Sequence, residues 1–315
     1  LATEFELIRK YFERAPGEVR LGALGRGVAL GVGDDAALLQ PAAGMELAVS
    51  TDLLLEGRHF RAGSDARKLG HKALAVNLSD MAAMGAAPRW ATLALALPAA
   101  DETWLDGFAK GFFALARRFG VELIGGDTTR APASGPLSVC ITILGEVPSG
   151  LALYRAGALP GDDIWVSGEL GGAALGLAQP ANAAAARRLE EPEPRVELGE
   201  RLRGVANAAI DVSDGFAQDL GHVLERSGAG AVVEFARLPA FPGADAQQVL
   251  AGGDDYELVF TARQERRAEV EALARELKLP LARVGSIQKG EAVLQVLDAE
   301  RRAMPLVRGF DHFAS

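Results

Sequence analysis

Apolar positions recur at helical spacing at the start of the chain, where Phe5, Ile8, Tyr11 and Phe12 share one face. Thr3 and Glu6 are placed as a capping box, and Pro16 lies beyond the end. The runs VALGVG (28–33) and MELAVST (45–51) read as strands, and a helical pattern follows from about Ala66 to Gly85. A second helix begins near Asp101, with Trp104, Phe108, Phe112, Leu115 and Phe119 on one face and Gly120 placed to stop it. An aromatic stripe at that spacing is core. The strands VELIG and PLSVCITILGEV come next, after which Pro and Gly accumulate through VPSG and AGALPGDD.

The second half repeats the mixture. DIWVSG reads as a strand, residues 182–190 as an Ala-rich helix, NAAIDVS as a strand and GFAQDLGHVLERS as a helix; the strands AVVEF and YELVFTA and the helix RQERRAEVEALAREL follow. The expected fold class is α/β of mixed α+β character, in two domains, 1–148 and 149–315. A length of 315 residues suits that division. The charge run at 186–203, ARRLEEPEPRVELGERLR, reads as a solvated linker and helix face without chemistry. GVGDDAALL and AGGDDYELV echo one another across the halves, but nine residues do not establish a duplication.

Composition changes this picture little. Apolar residues at 49% and charged residues at 24% match ordinary folded proteins. The net charge of -9 argues against a nucleic-acid or anionic-membrane partner and favours cations. There is no run of about 18 apolar residues and no basic start leading into an apolar stretch, so the expected location is cytoplasmic. Cys140 is the single cysteine, and its strand-like surroundings suggest a small buried hydrophobe.

The chemistry lies in the aspartates. GVGDD contains Asp35; ELAVSTD ends at Asp52, ALAVNLSD at Asp80, VELIGGD at Asp127, and AAIDVSD contains Asp211 and Asp214. One such site is an ordinary turn, but five repetitions are harder to read that way. Asp80 falls in the apolar stripe Leu69, Ala73, Val76, Asp80, Ala83, where an ionised carboxylate needs a hydrogen bond, an ion pair or a metal. Two unit charges 4 Å apart interact by about 1 kcal/mol in water and about 4 kcal/mol at an effective dielectric of 20, so clustered carboxylates call for divalent ions.

All-oxygen ligands point to Mg2+ or Mn2+. Zinc is disfavoured, since the four histidines are scattered at positions 59, 71, 222 and 312. Mg2+ on carboxylates suits phosphoryl or nucleotide chemistry. The chain has no Gly-Lys dipeptide and no H-R-D, so neither a Walker loop nor a protein-kinase catalytic loop is present. Arg130 in GGDTTR and Arg155 in LYRAG are either forks for phosphate or surface ion pairs.

In order, GVGDDAALL, STDLLLEGRHF, KALAVNLSDMAAMGAAP, LIGGDTTR, AIDVSDGFAQDLGH and GGDDYEL resemble the thiamine-monophosphate kinase family of the aminoimidazole ribonucleotide synthetase superfamily, from EFELIRKYF to GFDHF. The resemblance implies a two-domain aminoimidazole ribonucleotide synthetase-like fold whose N-terminal domains pair in a homodimer. It also implies phosphorylation of thiamine monophosphate by ATP. Carried over by motif, the Mg2+ ligands are Asp35, Ser50, Thr51, Asp52, Asp80, Asp127, Asp211 and Asp214. Gly126, Asp127, Arg155 and Ser213 surround ATP, while His59, Asp254 and Phe310 face the substrate. Asp254 departs from the family's usual GGEDYEL by one methylene.

Two rivals share the same acids: a two-metal phosphatase, and a Mg-nucleotide sensor without turnover. Haloacid-dehalogenase-like phosphatases use D-x-D, whereas DVSD sets its aspartates three apart. Selenophosphate synthetases want a reactive Cys or selenocysteine near the N-terminus and hydrogenase-maturation members a C-terminal Cys; Cys140 stands at neither place.

Overall fold

The computed structural model describes residues 4–12, 27–32, 36–132, 134–306 and 309. Asp35, Phe310 and Thr3 of the expected capping box lie outside the described residues. The chain divides into two compact units, one of residues 1–78 and 87–149 and the other of residues 79–86 and 150–315.

The first unit contains α1 (Glu4–Tyr11), β1 (Val28–Leu30), β2 (Leu38–Leu39), β3 (Met45–Leu55), most of α2 (Ala66–Ala83), β4 (Ala87–Leu97), α3 (Glu102–Phe119), β5 (Glu122–Arg130) and β6 (Ser138–Pro148). Asp101 caps α3 by accepting the N–H groups of Thr103 and Trp104, and Gly120, at φ 67, closes it in the left-handed conformation expected of that glycine. The backbones of α2 and α3 touch: a Cβ on Gly70 would sit 2.1 Å from the Phe108 carbonyl oxygen, and one on Gly111 1.8 Å from that of Arg67.

The four strands run in the order β3-β6-β4-β5, with only the β4–β5 pair parallel. One face carries the buried Ile141, Ile143 and Leu93 and, with Leu74, Leu78, Phe108 and Phe112 of the helices, makes the core. The other face is open: Leu47, Val49 and Leu53 are 44%, 60% and 50% exposed. Cys140 belongs to this open face and is half-buried, which corrects its reading as a core residue. Burial and the negative charge of Asp52 push its thiol pKa up. β4 is a strand that the periodicity did not predict.

The second unit contains β7 (Asp163–Ser167), α4 (Gly172–Ala178), α5 (Ala183–Glu190), α6 (Val196–Leu202), β8 (Ala208–Asp211), α7 (Phe216–Ser227), β9 (Gly230–Glu234), α8 (Ala246–Ala251), β10 (Leu258–Ala262), α9 (Arg267–Leu277), β11 (Leu281–Gln288) and β12 (Leu294–Leu297). Its sheet has the order β12-β9-β11-β7-β10-β8, with only β12 and β9 parallel. Every residue of β7, β8 and β10 is buried, and Ile164, Val166, Ile210, Phe216, Leu220, Val233 and Val259 form one apolar cluster. The end of α2 belongs here. A Cβ on Gly199 of α6 would meet the Ala82 carbonyl oxygen at 2.0 Å, and Leu153 N–H donates to the Met84 carbonyl at 3.0 Å.

Candidate functional site

In the second unit, the buried strand β8 delivers Asp211 at its carboxyl end, and the last turn of α2 delivers Asp80. The Ser79 hydroxyl donates to Asp211 Oδ2 at 2.7 Å. Burial, and after it the charge of Asp80, push the Asp211 pKa up to about 7, against the opposing pull of the Ser79 hydrogen bond and of Arg155. A half-buried and a buried carboxylate that repel each other are what a cation would relieve.

The loop after β8 is shaped by Asp219, a residue the sequence reading did not single out. Its Oδ2 accepts the N–H groups of Ser213, Asp214 and Gly215 at 3.0, 3.1 and 3.1 Å. Gly215 has φ 124, and a Cβ there would meet Ala251 at 2.8 Å, so glycine is required. Burial and the neighbouring Asp211 push the Asp219 pKa up to about 7. The available signal was an acid in the first turn of a predicted helix, directly after DVSDG.

The loop 252–257 closes on the same place. Asp254 N–H donates to the Ser213 carbonyl at 2.9 Å, and Tyr256 N–H to that of Val212 at 2.8 Å. Asp254 and Tyr256 adopt φ 67 and φ 50, a left-handed conformation that costs a non-glycine residue about 1–2 kcal/mol. Asp255 is buried and accepts the N–H groups of Gly171 and Ala173 at 2.6 and 3.2 Å, capping α4 in place of the side chain that Gly171 lacks. Burial pushes its pKa up to about 7.

Glu257 is the hub of a buried cluster. It accepts from the Ser167 hydroxyl at 2.7 Å, from Arg188 at 2.7 Å, and from Arg195 Nε and Nη2 at 2.6 and 2.5 Å. The segment expected to be a solvated linker thus supplies both arginines, together with a helix, α6, that buries Val196, Leu198 and Leu202. Among the predicted residues, this unit therefore brings Asp80 together with Asp211, and Asp254 together with the Ser213–Asp214 loop. Arg155 is exposed and near enough to Asp211 to favour its charged form.

In the first unit, strand alternation separates three neighbours. Ser50 and Asp52 share the face of Leu54, and Asp52 Oδ2 is out of contact with solvent. Thr51 points to the open face, where its hydroxyl is 2.8 Å from that of Thr142. A cation on the Ser50–Asp52 side would meet Thr51 only through its carbonyl. Gly126 and Asp127 are exposed on β5; Gly126 has φ 152, and a Cβ there would lie 1.9 Å from the Leu93 carbonyl oxygen. β3 and β5 are the opposite edges of the sheet, and the register row Asp52–Ile141–Leu93–Gly126 spans all four strands. Asp52 and Asp127 are thus about 14 Å apart across three strand spacings, and this unit does not bring them together. His59 accepts the Leu55 N–H on Nδ1 at 3.0 Å, which leaves Nε2 to carry the proton of a neutral ring, and Lys72 Nζ holds the His59 carbonyl at 3.3 Å. Arg130 is exposed at the end of β5.

Among the described residues, no three His, Cys, Asp or Glu side chains form a cage for a metal ion. The Asp80–Asp211 pair nonetheless fits Mg2+, which is usually held by one or two carboxylates and completes its shell with water and substrate phosphate.

Each unit thus carries aspartates on its strands, Asp52 and Asp127 within β3 and β5 and Asp211 at the end of β8. The AIR synthase related protein N-terminal domain matches residues 33–147 and the corresponding C-terminal domain residues 159–296. The chain is 43% identical to the thiamine-monophosphate kinase of Salmonella typhimurium strain LT2, over 99% of this chain and 98% of the relative. The crystal structure of thiamine-monophosphate kinase from Stenotrophomonas maltophilia K279a is 46% identical, with TM-score 0.81, covering 87% of this chain and 92% of that one. The structure of AaThiL complexed with AMPPCP and TMP is 27% identical, with TM-score 0.75, covering 98% and 96%. The chain belongs to the thiamine-monophosphate kinase family and is accordingly a phosphotransferase. No described helix is long and apolar enough to cross a membrane.

Proposed function

We propose that the chain transfers the γ-phosphoryl group of ATP directly to the phosphate of thiamine monophosphate, giving thiamine diphosphate and ADP, the last step of thiamine diphosphate biosynthesis. The observation that carries this reading is the half-buried Asp80 beside the buried Asp211, whose mutual repulsion suits a cation-assisted reaction on phosphates. A relative solved with AMPPCP and TMP supports the choice of substrates. In this reading, Asp35, Ser50, Thr51, Asp52, Asp80, Asp127, Asp211 and Asp214 hold several Mg2+ ions, Thr51 through its backbone. Bound Mg2+ offsets the charge of the two phosphates and aligns them.

The remaining roles fall to the protein. Gly126, Asp127, Arg155 and Ser213 receive ATP, and the exposed Arg155 guanidinium meets phosphate oxygens. His59 offers its Nε2–H, and Asp254 and Phe310 face thiamine monophosphate. A phosphate acceptor is already nucleophilic near neutral pH, and no Ser/His/Asp order provides a covalent nucleophile, so the transfer is in-line without a phosphoenzyme. Chiral γ-phosphate then emerges inverted, and ATP/ADP exchange requires the acceptor. Retention, or an acyl phosphate trapped on Asp211 or Asp214, would revive a covalent route. Formation of thiamine diphosphate from the two substrates tests the function itself.

The open sheet face, with exposed Leu47, Val49 and Leu53 on the edge strand β3, suits a second copy of the chain, and the functional unit in this reading is a homodimer.

A further inference from the structure

Backbone strain at a non-glycine residue persists where the surroundings over-determine it, and such residues gather at functional sites. The loop 252–257 has two, Asp254 and Tyr256. It is fastened on every side: to the Ser213 and Val212 carbonyls through its N–H groups, to the start of α4 through Asp255, and to Arg188, Arg195 and Ser167 through Glu257. The left-handed turn at Tyr256 accompanies a side chain that folds back along its own loop. The ring is 8% exposed, and its hydroxyl donates to Asp254 Oδ1 at 2.9 Å.

We infer that Tyr256 is a positioning residue: its hydroxyl fixes one oxygen of the Asp254 carboxylate and so orients that carboxylate toward the N–H-donating aminopyrimidine of thiamine monophosphate. The inference rests on the reading of Asp254 as a substrate contact. It also accounts for an aspartate at this position. A carboxylate one methylene shorter than glutamate has one fewer torsion, and a hydrogen bond to a fixed phenol leaves it a single orientation. Glu257 and its two arginines hold the backbone from which both side chains project, while the tyrosine hydroxyl sets the carboxylate itself.

Steady-state kinetics of the full chain separate the possibilities. Tyr256→Phe removes one hydrogen bond to a charged group; the expected result is a rise of about tenfold in the KM for thiamine monophosphate. The kcat, the KM for ATP and the melting midpoint should stay near the parent values. Asp254→Asn should raise the same KM, and the Tyr256→Phe/Asp254→Asn double variant should be no worse than Asp254→Asn alone, because the hydroxyl acts through the carboxylate. If Asp254→Asn raises the KM while Tyr256→Phe does not, or if the two effects add, the positioning role is overturned and the substrate contact stands. If Asp254→Asn leaves the KM unchanged, the contact falls and the inference with it. A Tyr256→Phe variant that loses kcat, affinity for both substrates and thermal stability together would show that the hydroxyl serves the fold, which also overturns the inference.

Discussion

The two units place their acids in opposite settings. In the first, Ser50, Asp52 and Asp127 sit on the two edge strands of a four-stranded sheet with an open face, and Asp127 is exposed. In the second, Asp211 ends a fully buried strand, Asp219 lies in the first turn of α7 and Asp255 in the loop before β10, and all three are pushed up to about pKa 7 with burial as the largest cause. One set of acids therefore burdens the fold and the other does not. In the second unit the carboxylates oppose stability at neutral pH unless something positive or hydrogen-bonding meets them.

Neutralising substitutions should break this contrast first in activity. Asp80→Ala, Asp211→Asn and Asp52→Ala are each expected to lower kcat/KM by about 100-fold or more, the scale seen when metal ligation is disturbed. Their effect on the fold should differ. In metal-free buffer at pH 8, Asp211→Asn should raise the melting midpoint by removing a buried charge that faces Asp80, whereas Asp52→Ala should leave it nearly unchanged. Full turnover of either variant at saturating Mg2+ would sink the metal assignment, and equal thermal shifts would erase the contrast between the units.

Removing the buried Glu257 should cost the second unit about 3–5 kcal/mol, because two half-buried arginines lose their counter-charge. Lys110→Ala in the first unit breaks only the exposed pair with Asp106 and should produce no measurable change in denaturant unfolding. Comparable losses would mean that burial does not decide the worth of these pairs.

The open face supplies a third test. Val49→Lys or Leu53→Lys should convert a dimer mass to a monomer mass in light scattering, while the buried strands of the second unit offer no such lever. A monomeric parent protein, or a dimer indifferent to both changes, would contradict the pairing.

A smaller effect is expected with pH. An aspartate whose pKa is raised on folding, as for Asp255, contributes stability that is complete below its ordinary pKa near 3.8 and is lost as pH rises through about 7. Between pH 5.5 and pH 8 this amounts to about 2 kcal/mol, and Asp255→Asn should remove that part of the pH dependence. Chemical denaturation of both proteins at the two pH values checks the sign; an unchanged slope would show that Asp255 keeps an ordinary pKa.

Much of the molecule was legible in its sequence, and the failures have physical causes. Amphipathic patterns found α3, α7 and α9, because their apolar stripes are set by burial, whereas α2 was found by helical spacing although it is buried on nearly every side. β4 escaped because APRWATLALAL has Pro at its second position and is filled with Ala and Leu, residues that favour helices; placement between two strands overrides that preference. α6 and the arginines before it looked solvated, because composition does not reveal that Glu257, about 60 positions away, lies opposite them. Asp211 and Asp80 were found by recurrence of one motif. Asp219 had a signal, an acid in the first turn of a predicted helix, whereas Asp255 and Glu257 act on backbone N–H groups and arginines far away in the chain, partners that leave no pattern in the sequence. Strand alternation could have separated Thr51 from Ser50 and Asp52, since period two was already the basis for reading MELAVST as a strand.

The central claim is that the chain moves a phosphoryl group from ATP to a phosphate. Purified protein incubated with ATP, Mg2+ and thiamine monophosphate, with the products separated by chromatography, tests it most directly. The account predicts equal amounts of ADP and thiamine diphosphate, negligible free phosphate, and loss of both products when chelator is added. Free phosphate without thiamine diphosphate would identify a hydrolase, and ATP binding without ADP formation a sensor; either result would contradict the account.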